Sequence, residues 1–181
     1  MILRQSFDPR SLGTIALWLD ASDSPAAGAW SDKSGNGRNA AQLATNNQPA
    51  LTPNAMGGKP ALYFDGINDS LSLAFIPIST WTAFAAVSPT TSGTALHIAA
   101  SATSVLTLSS GSSAAVATAS GSATTVAALY GSDSRIGAKW ESGALKNFYK
   151  GYIAEIVVYS SALSEAQSNA VSRYLARKWG L

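Results

Sequence analysis

The clearest hydrophobic pattern lies near the end of the chain, between Tyr152 and Tyr159. Most of these residues are β-branched or aromatic, which is typical of a strand with buried faces. Because successive strand residues point to opposite faces, Tyr152 and Ile156 are expected on one face and Glu155 on the other. Glu155 is the single charge in this run, so the pattern predicts a strand that is covered on both sides.

A helical pattern follows, from Ser164 to the end of the chain. Ser164 and Gln167 have the S-x-x-Q spacing of a capping box, in which each side chain can satisfy a free backbone N–H group. Large apolar residues then recur at helical spacing and predict one buried stripe. They are Val171, Tyr174, Leu175 and Trp179. Gly180 is placed to end the helix. Three cations occupy its last turns and are interpreted as a solvated helix end, namely Arg173, Arg177 and Lys178.

Upstream, short β-prone runs between turn signals predict strands. They are residues 15–19, 61–65, 70–75, 81–87, 126–130 and 135–138. Residues 46–59 and 141–150 are predicted to be loops. Residues 88–125 are rich in Ser, Thr, Ala and Gly, which is also typical of a disordered linker. Apolar residues recur there between Gly-containing turns and favour a meander of short strands instead.

Many short strands followed by one helix predict an all-β sandwich. The chain has 181 residues, which is enough for one domain with a two-sheet core. We therefore predict an N-terminal arm over residues 1–12 and a single domain over residues 13–181.

The composition narrows the function classes. Charged residues make up 12% of the chain, against about 25% in ordinary domains. The net charge is only +2, and no dense cluster of Lys and Arg predicts a nucleic-acid surface. There are no cysteines, and neither a signal peptide nor a membrane-spanning run is evident. Low charge gives little repulsion between copies, so we expect a homo-oligomer or another assembly.

Three segments carry a family resemblance. They are residues 17–23 (LWLDASD) with 30–42 (WSDKSGNGRNAAQ), residues 61–71 (ALYFDGINDSL), and the closing pattern G-x-I-A-E-I-x-V-Y-S-x-x-L-S with Y-L-A-x-K-W-G-L. In this order they resemble the concanavalin A-like lectin/glucanase superfamily, and within it the laminin G-like jelly-roll domains of phage and bacterial proteins. The resemblance implies a concanavalin A-like jelly-roll β-sandwich with one C-terminal α-helix. It does not decide the function, because the superfamily includes enzymes, lectins and structural modules.

Two residues are candidates for catalysis. Glucanases of the superfamily place catalytic carboxylates along one strand, so the resemblance points to Glu155. Retaining glycoside hydrolysis needs two carboxyl groups about 5–5.5 Å apart, and Ile153 and Val157 occupy the neighbouring positions on that face. We therefore expect Glu155 to be structural, partly buried and bonded to donors or a cation. His97, the only histidine, has no acid close in sequence and no G-x-S-x-G motif, and is expected on a sheet surface.

Two acidic loops could bind calcium, which takes 6–8 oxygen ligands. One loop contains Asp20, Asp23, Asp32 and Asn36. The other, which is favoured, contains Asp65, Asn68 and Asp69. The resemblance supports calcium, since some laminin G-like and lectin relatives bind it at loop edges. The alternative is that these side chains close Asx turns with their own backbone.

Large aromatic residues could stack on a sugar ring. The predicted carbohydrate-binding set is Trp140, Tyr130 and Trp81, and two further candidates are Trp30 and Tyr149. Trp140 lies in a predicted loop and is expected to be the most exposed. The alternative is that these rings belong to the core.

The expected function is that of a non-enzymatic structural protein of a phage virion, such as a head decoration or fibre protein. The reasons are the missing leader, the low charge, the absence of a catalytic constellation and the resemblance to phage-encoded domains. The protein would lie on the particle surface and contact coat or tail proteins. The alternative is a lectin-like module that recognises host glycans. A glycoside hydrolase is a third possibility, disfavoured by the missing acid pair. No cofactor other than calcium is expected, and no nucleic acid or membrane is predicted as a partner.

Overall fold

The computed structural model describes residues 7–26, 28–73, 76, 78–99, 105–110, 113–122 and 134–181. Strands dominate these residues, and one α-helix closes the chain. The predicted all-β class with a C-terminal helix is therefore confirmed. No helix in the described ranges is long and apolar enough to span a membrane.

The first sheet is built around a single central strand. Its six strands are β1 (Ile15–Asp20), β4 (Ala50–Met56), β5 (Lys59–Asp65), β7 (Thr80–Thr91), β10 (Ala115–Ser122) and β14 (Lys150–Tyr159). Their order is β10-β7-β14-β5-β4, with β1 also paired to β14. All of these pairs are antiparallel. β14 bonds to β7 on one side and, on the other, to β5 with its first half and β1 with its second half.

The second sheet consists mainly of shorter strands. Its members are β2 (Ala29–Trp30), β3 (Ala40–Ala41), β6 (Leu71–Ser72), β8 (Gly93–Ala99), β9 (Val105–Ser110) and β11 (Arg135–Ile136), in the order β2-β3-β6-β11-β8-β9. A separate hairpin is formed by β12 (Lys139–Glu141) and β13 (Ala144–Lys146). Single turns of 3-10 helix cover Pro9–Leu12, Ala21–Asp23 and Thr45–Asn47.

The two sheets meet in one hydrophobic core. Phe64 of β5 lies edge to face with Tyr149, with 6.2 Å between the ring centroids. The same ring contacts Gly137, directly after β11, so closely that a Cβ atom there would overlap with it. Gly137 also has φ +81°, which glycine adopts without steric cost. This residue ends β11 earlier than predicted and lets the sheets approach.

The sequence patterns did not predict β4 or the hairpin strands β12 and β13, which lie at sheet edges. Residues 46–59 were predicted to be a loop but contain β4, an edge strand where Pro53 is tolerated because no further strand needs its N–H group. Residues 141–150 were also predicted to be a loop, yet Ser142 and Gly143 both have positive φ and join β12 to β13. Strands β8, β9 and β10 confirm that residues 88–125 contain strands, but the predicted meander was wrong, because β10 crosses to the first sheet and pairs with β7. Segment 70–75 contributes only β6, and segment 126–130 is outside the described residues.

Helix α1 (Glu165–Trp179) begins and ends as predicted. The backbone N–H of Gln167 donates to Ser164 Oγ at 3.3 Å, and that of Ser164 donates to Gln167 Oε1 at 2.9 Å. Gly180 ends the helix in the left-handed conformation, and its N–H bonds to the carbonyl of Ala176. The predicted stripe is buried at Val171, Leu175 and Trp179. It packs on one face of the first sheet, which we call the outer face.

A β-bulge in β14 changes the face to which Tyr152 points. Ile153 lies opposite Val87, whereas Glu155 lies opposite Ala86, so Ala154 is an extra residue without a partner in β7. Tyr152 and Glu155 therefore share the outer face although they are three residues apart. The prediction that Tyr152 shares a face with Ile156 was wrong, because strict alternation does not hold across a bulge.

Candidate functional site

Glu155 lies fully buried between β14 and α1. Its Oε1 accepts hydrogen bonds from Trp18 Nε1 at 2.8 Å and from the Tyr174 hydroxyl at 3.1 Å. Its Oε2 accepts one from Trp179 Nε1 at 2.7 Å and lies 2.7 Å from Lys178 Nζ. The expected bonding of Glu155 to donors and a cation is confirmed, and its burial is deeper than expected. We call this carboxylate with its four partners the Glu155 cluster.

Lys178 extends the cluster to a second carboxylate. Its Nζ donates to Asp20 Oδ2 at 2.7 Å, and Lys33 Nζ donates to the same oxygen at 2.8 Å. Burial acts to raise the pKa of Asp20, but the hydrogen bonds from Lys178 and Lys33 outweigh it and hold the pKa below its usual value. The interpretation of Lys178 as part of a solvated helix end was wrong, since its side chain is only 17% exposed.

In the first predicted calcium loop, the acidic oxygens already have partners. Lys33 Nζ lies between Asp20 and Asp23, 2.8 and 2.9 Å from their Oδ2 atoms. Asp32 accepts hydrogen bonds from the backbone N–H groups of Trp18, Ser34 and Arg38 and from the Ser34 hydroxyl.

The hydrogen bonds of the Asp32 carboxylate oppose the effect of its burial on its pKa. Burial acts to raise the pKa of Asp32, but the hydrogen bonds outweigh it and lower the pKa. The side-chain amide of Asn36 donates to the carbonyls of Ile15 and Ala16. The loop thus uses its polar side chains to anchor itself to β1.

The second predicted calcium loop forms an Asx turn. Asp65 Oδ1 accepts backbone N–H bonds from Ile67, Asn68 and Asp69, at 2.8, 3.2 and 3.4 Å. Burial acts to raise the pKa of Asp65, but these bonds lower it. Burial and the nearby charge of Asp65 raise the pKa of Asp69. Within the described ranges, no three His, Cys, Asp or Glu side chains are grouped to hold a metal. Calcium at this loop stays a prediction.

The structure does not bring the predicted carbohydrate-binding residues together. Trp81 is 5% exposed and packs in the core, where a Cβ added at Gly121 would lie 2.8 Å from its ring. No sugar can stack on that ring. Trp140 is partly exposed on β12, and the Arg135 guanidinium lies 5.9 Å from its ring centroid. Tyr130 is outside the described residues.

Three other residues singled out from the sequence are buried. Trp30 and Tyr149 belong to the core. His97 is 3% exposed in β8, opposite Arg135 of β11 and Thr107 of β9. The expectation of a sheet-surface histidine was therefore wrong, since almost none of its surface is exposed.

Two exposed tyrosines form a surface that the sequence pattern did not reveal. Tyr63 of β5 lies directly opposite Tyr152 of β14, with ring centroids 5.1 Å apart and planes tilted by 57°. Both are partly exposed on the outer face, and the row continues to Ala50 on β4 and Ser88 on β7. Neither phenol hydroxyl bonds to another described residue. We call these two residues the tyrosine pair.

One half of this pair could have been found from the sequence. Leu62 and Phe64 are core residues of β5, so Tyr63 between them must face the other way. The other half could not, because the bulge at Ala154 alone turns Tyr152 outward.

Comparison with solved structures supports the β-sandwich architecture. Domain 4 of AbnA, a GH43 extracellular arabinanase from Geobacillus stearothermophilus solved in complex with arabinotriose, matches with a TM-score of 0.54. The match has 14% sequence identity and covers 88% of this chain and 98% of that domain. Trypanosoma rangeli sialidase matches with a TM-score of 0.48 at 15% identity, and 33% of its chain is covered. No family model and no curated protein sequence matches the chain.

Replacing Lys178 with Met should lower the free energy of unfolding by about 3–5 kcal/mol, because Glu155 and Asp20 would stay buried without their shared cation. Denaturant unfolding at pH 7, followed by tryptophan fluorescence, measures this. Arg177→Met is the matched control on the next helix position, and its exposed side chain predicts a change within about 0.5 kcal/mol. Equal effects of both substitutions would contradict the role given to Lys178.

Acid should destabilise the protein through Asp32. Its pKa is lower when folded than the unfolded value of about 3.9, so below about pH 4 the unfolded chain binds more protons and stability falls. Asp32→Asn should make the loss of stability between pH 5 and pH 3 shallower. Glu141→Gln, in the exposed pair with Lys139, is the control and should leave the slope unchanged. Unfolding free energies across this pH range provide the measurement.

An Asx turn at Asp65 that needs no metal predicts that calcium will not change the melting temperature. The test is thermal unfolding in EDTA and then in excess calcium, with magnesium as the ionic control. A rise specific to calcium that Asp65→Asn abolishes would show that the loop binds the ion.

Proposed function

We propose that the protein is a non-catalytic carbohydrate-binding module of the concanavalin A-like type. The observation that carries this proposal is the tyrosine pair on the outer face. Tyr63 and Tyr152 present two adjacent, partly exposed aromatic rings on a sheet, and their hydroxyls bond to no other described residue. An apolar ring with a polar tip suits a sugar, whose C–H groups stack while its hydroxyls bond.

The surroundings of the pair leave room for a ligand. Ala50 and Ser88, its neighbours along the row, have small side chains. The two rings stand on paired central strands of the first sheet, so the backbone holds their spacing. A preformed surface loses little conformational entropy on binding. The geometry therefore fits a sugar chain lying across the strands.

The comparison with solved structures supports this proposal only at the level of the fold. Domain 4 of the arabinanase AbnA shares the architecture along nearly its whole length and was solved in complex with arabinotriose. Glycan binding by a domain of this architecture is thus established for that protein. Its identity to this chain is low, so the sugar that this chain would bind is left to experiment.

The Glu155 cluster supports the non-catalytic part of the proposal. A glycosidase acid must exchange a proton with the substrate. Both oxygens of Glu155 are engaged by donors from Trp18, Tyr174, Trp179 and Lys178, and the residue has no exposed surface. Its role is to hold α1 on the sheet.

A role on a virion surface is the second candidate. Leu43 and Ile67 are large aliphatic residues with 94% and 72% exposure. Single exposed apolar side chains are common on protein surfaces, so this candidate depends on a test of self-association. Such a protein could also bind glycans, so the two functions are compatible.

Replacing Tyr152 with Ala should weaken glycan binding about tenfold, which corresponds to about 1.4 kcal/mol and is near the contribution of one stacked ring. Tyr152→Phe keeps the ring and should retain most of the affinity. A glycan array identifies a ligand, and titration calorimetry measures the variants. Trp140→Ala, at the sequence-predicted site, should stay within about twofold of wild type, since that ring lies off the outer face.

Two results would count against this proposal. If no glycan binds but the protein self-associates at high concentration, and Leu43→Asp prevents it, the assembly role is favoured. If Trp140→Ala abolishes binding and Tyr152→Ala does not, the site lies on the β12–β13 hairpin instead.

A further inference from the structure

A groove of about 400 Å³ lies on the outer face, between the first half of α1 and the edge strand β10. We call it the helix groove. Five polar residues line its walls, and one aromatic residue lies beneath it. They are Thr118, Ser120, Ser168, Asn169, Ser172 and Phe84. The groove is separate from the tyrosine pair, whose residues do not line it.

The sequence builds this groove from small polar residues where a helix would normally bury apolar ones. Ser168 and Ser172 are one helical turn apart and stand on the same side of α1. Thr118 and Ser120 alternate on β10 opposite Phe84 and Thr82, so they share the outer face. Because the side chains on both walls are short, they leave the space between the strand and the helix unfilled.

The walls carry hydrogen-bonding groups that no other described residue uses. The side chains of Thr118, Ser120, Ser168, Asn169 and Ser172 make no hydrogen bond to another described residue. In contrast, the Thr82 hydroxyl deeper in the groove donates to the Ser161 carbonyl and accepts from the Leu163 N–H. The walls thus offer four hydroxyls and one amide to a ligand.

The groove contains no ionisable side chain among its lining residues. A charged ligand would lose hydration there without meeting an opposite charge, which is unfavourable. A ligand rich in hydroxyls exchanges its bonds with water for bonds of the same kind. The Phe84 ring lies beneath the groove and has no exposed surface, so a ligand would meet the polar walls.

We infer that the helix groove binds an uncharged, hydroxyl-rich ligand, namely a neutral sugar unit, as a second site beside the tyrosine pair. This inference rests on the proposed carbohydrate-binding function and specifies the charge of the sugar. The opposite side of α1 provides a contrast. There, Phe7, Arg173 and Arg177 line a separate groove of about 210 Å³ in which an acidic ligand would be favoured.

The test titrates the full chain with arabinotriose and maltotriose as neutral probes and sialyllactose as the acidic one. Backbone amide NMR shifts report the site, and calorimetry reports the affinity. A neutral probe should shift the amides of Ser168, Asn169 and Ser172. Ser172→Trp, which fills the groove, should weaken that binding at least tenfold. Ala170→Trp, which fills the opposite groove, should leave it within twofold.

A second pair of variants guards against misfolding by the bulky residue. Thr118→Val and Asn169→Ala remove hydrogen-bonding groups without adding bulk, and each should weaken neutral-sugar binding about threefold while the melting temperature stays constant. If Tyr152→Ala abolishes binding and none of the groove variants changes it, the second site is refuted and the proposed function stands. If sialyllactose binds in the groove more tightly than the neutral probes, the charge selectivity is refuted. If no sugar binds at all, both are refuted.

Discussion

The fold depends on one buried ion pair, between Glu155 in the central strand and Lys178 near the end of the helix. Removing two charges from water is costly, and the attraction between them offsets the cost only where further hydrogen bonds satisfy the remaining atoms. Here the indoles of Trp18 and Trp179 and the phenol of Tyr174 supply those bonds. The pair therefore requires three elements, β1, β14 and α1, to be in place together. Apolar contacts alone could not fix their relative position so closely.

The same interaction explains why Glu155 has no access to solvent. The helix that supplies Lys178 also covers Glu155, and the cation is shared with Asp20. Closing the helix on the sheet thus leaves only part of the outer face accessible. Among the described residues, the tyrosine pair and the helix groove are accessible parts of this face.

Local patterns predicted the elements that follow a regular helical or strand periodicity. Ser164, Gln167 and Gly180 marked both ends of the helix, and the β-prone run of residues 61–65 beside a turn signal located a strand. The edge strand β4 was missed because its pairing compensates for Pro53 and Asn54, residues that favour loops. The hairpin of β12 and β13 was missed because its turn uses Ser142 at positive φ, where glycine or asparagine is the usual signal.

The sites were harder to predict than the fold, because they depend on distances across the chain. Trp81 and Trp140 are the same residue type, so the sequence does not distinguish them. In the structure, Trp81 is buried in the core beside Gly121. Lys178 had the spacing of a solvated cation, and only the position of Glu155, more than twenty residues earlier, turns it inward.

The bulge at Ala154 links the buried carboxylate to the surface rings. With one residue fewer, strict alternation would return, and Tyr152 and Glu155 could no longer point to the same side of the sheet. A deletion at this position would turn either the Tyr152 phenol or the Glu155 carboxylate toward the apolar core between the sheets. Related chains that keep both the surface tyrosine and the buried glutamate must therefore keep the same number of residues between them, even where the other side chains have changed.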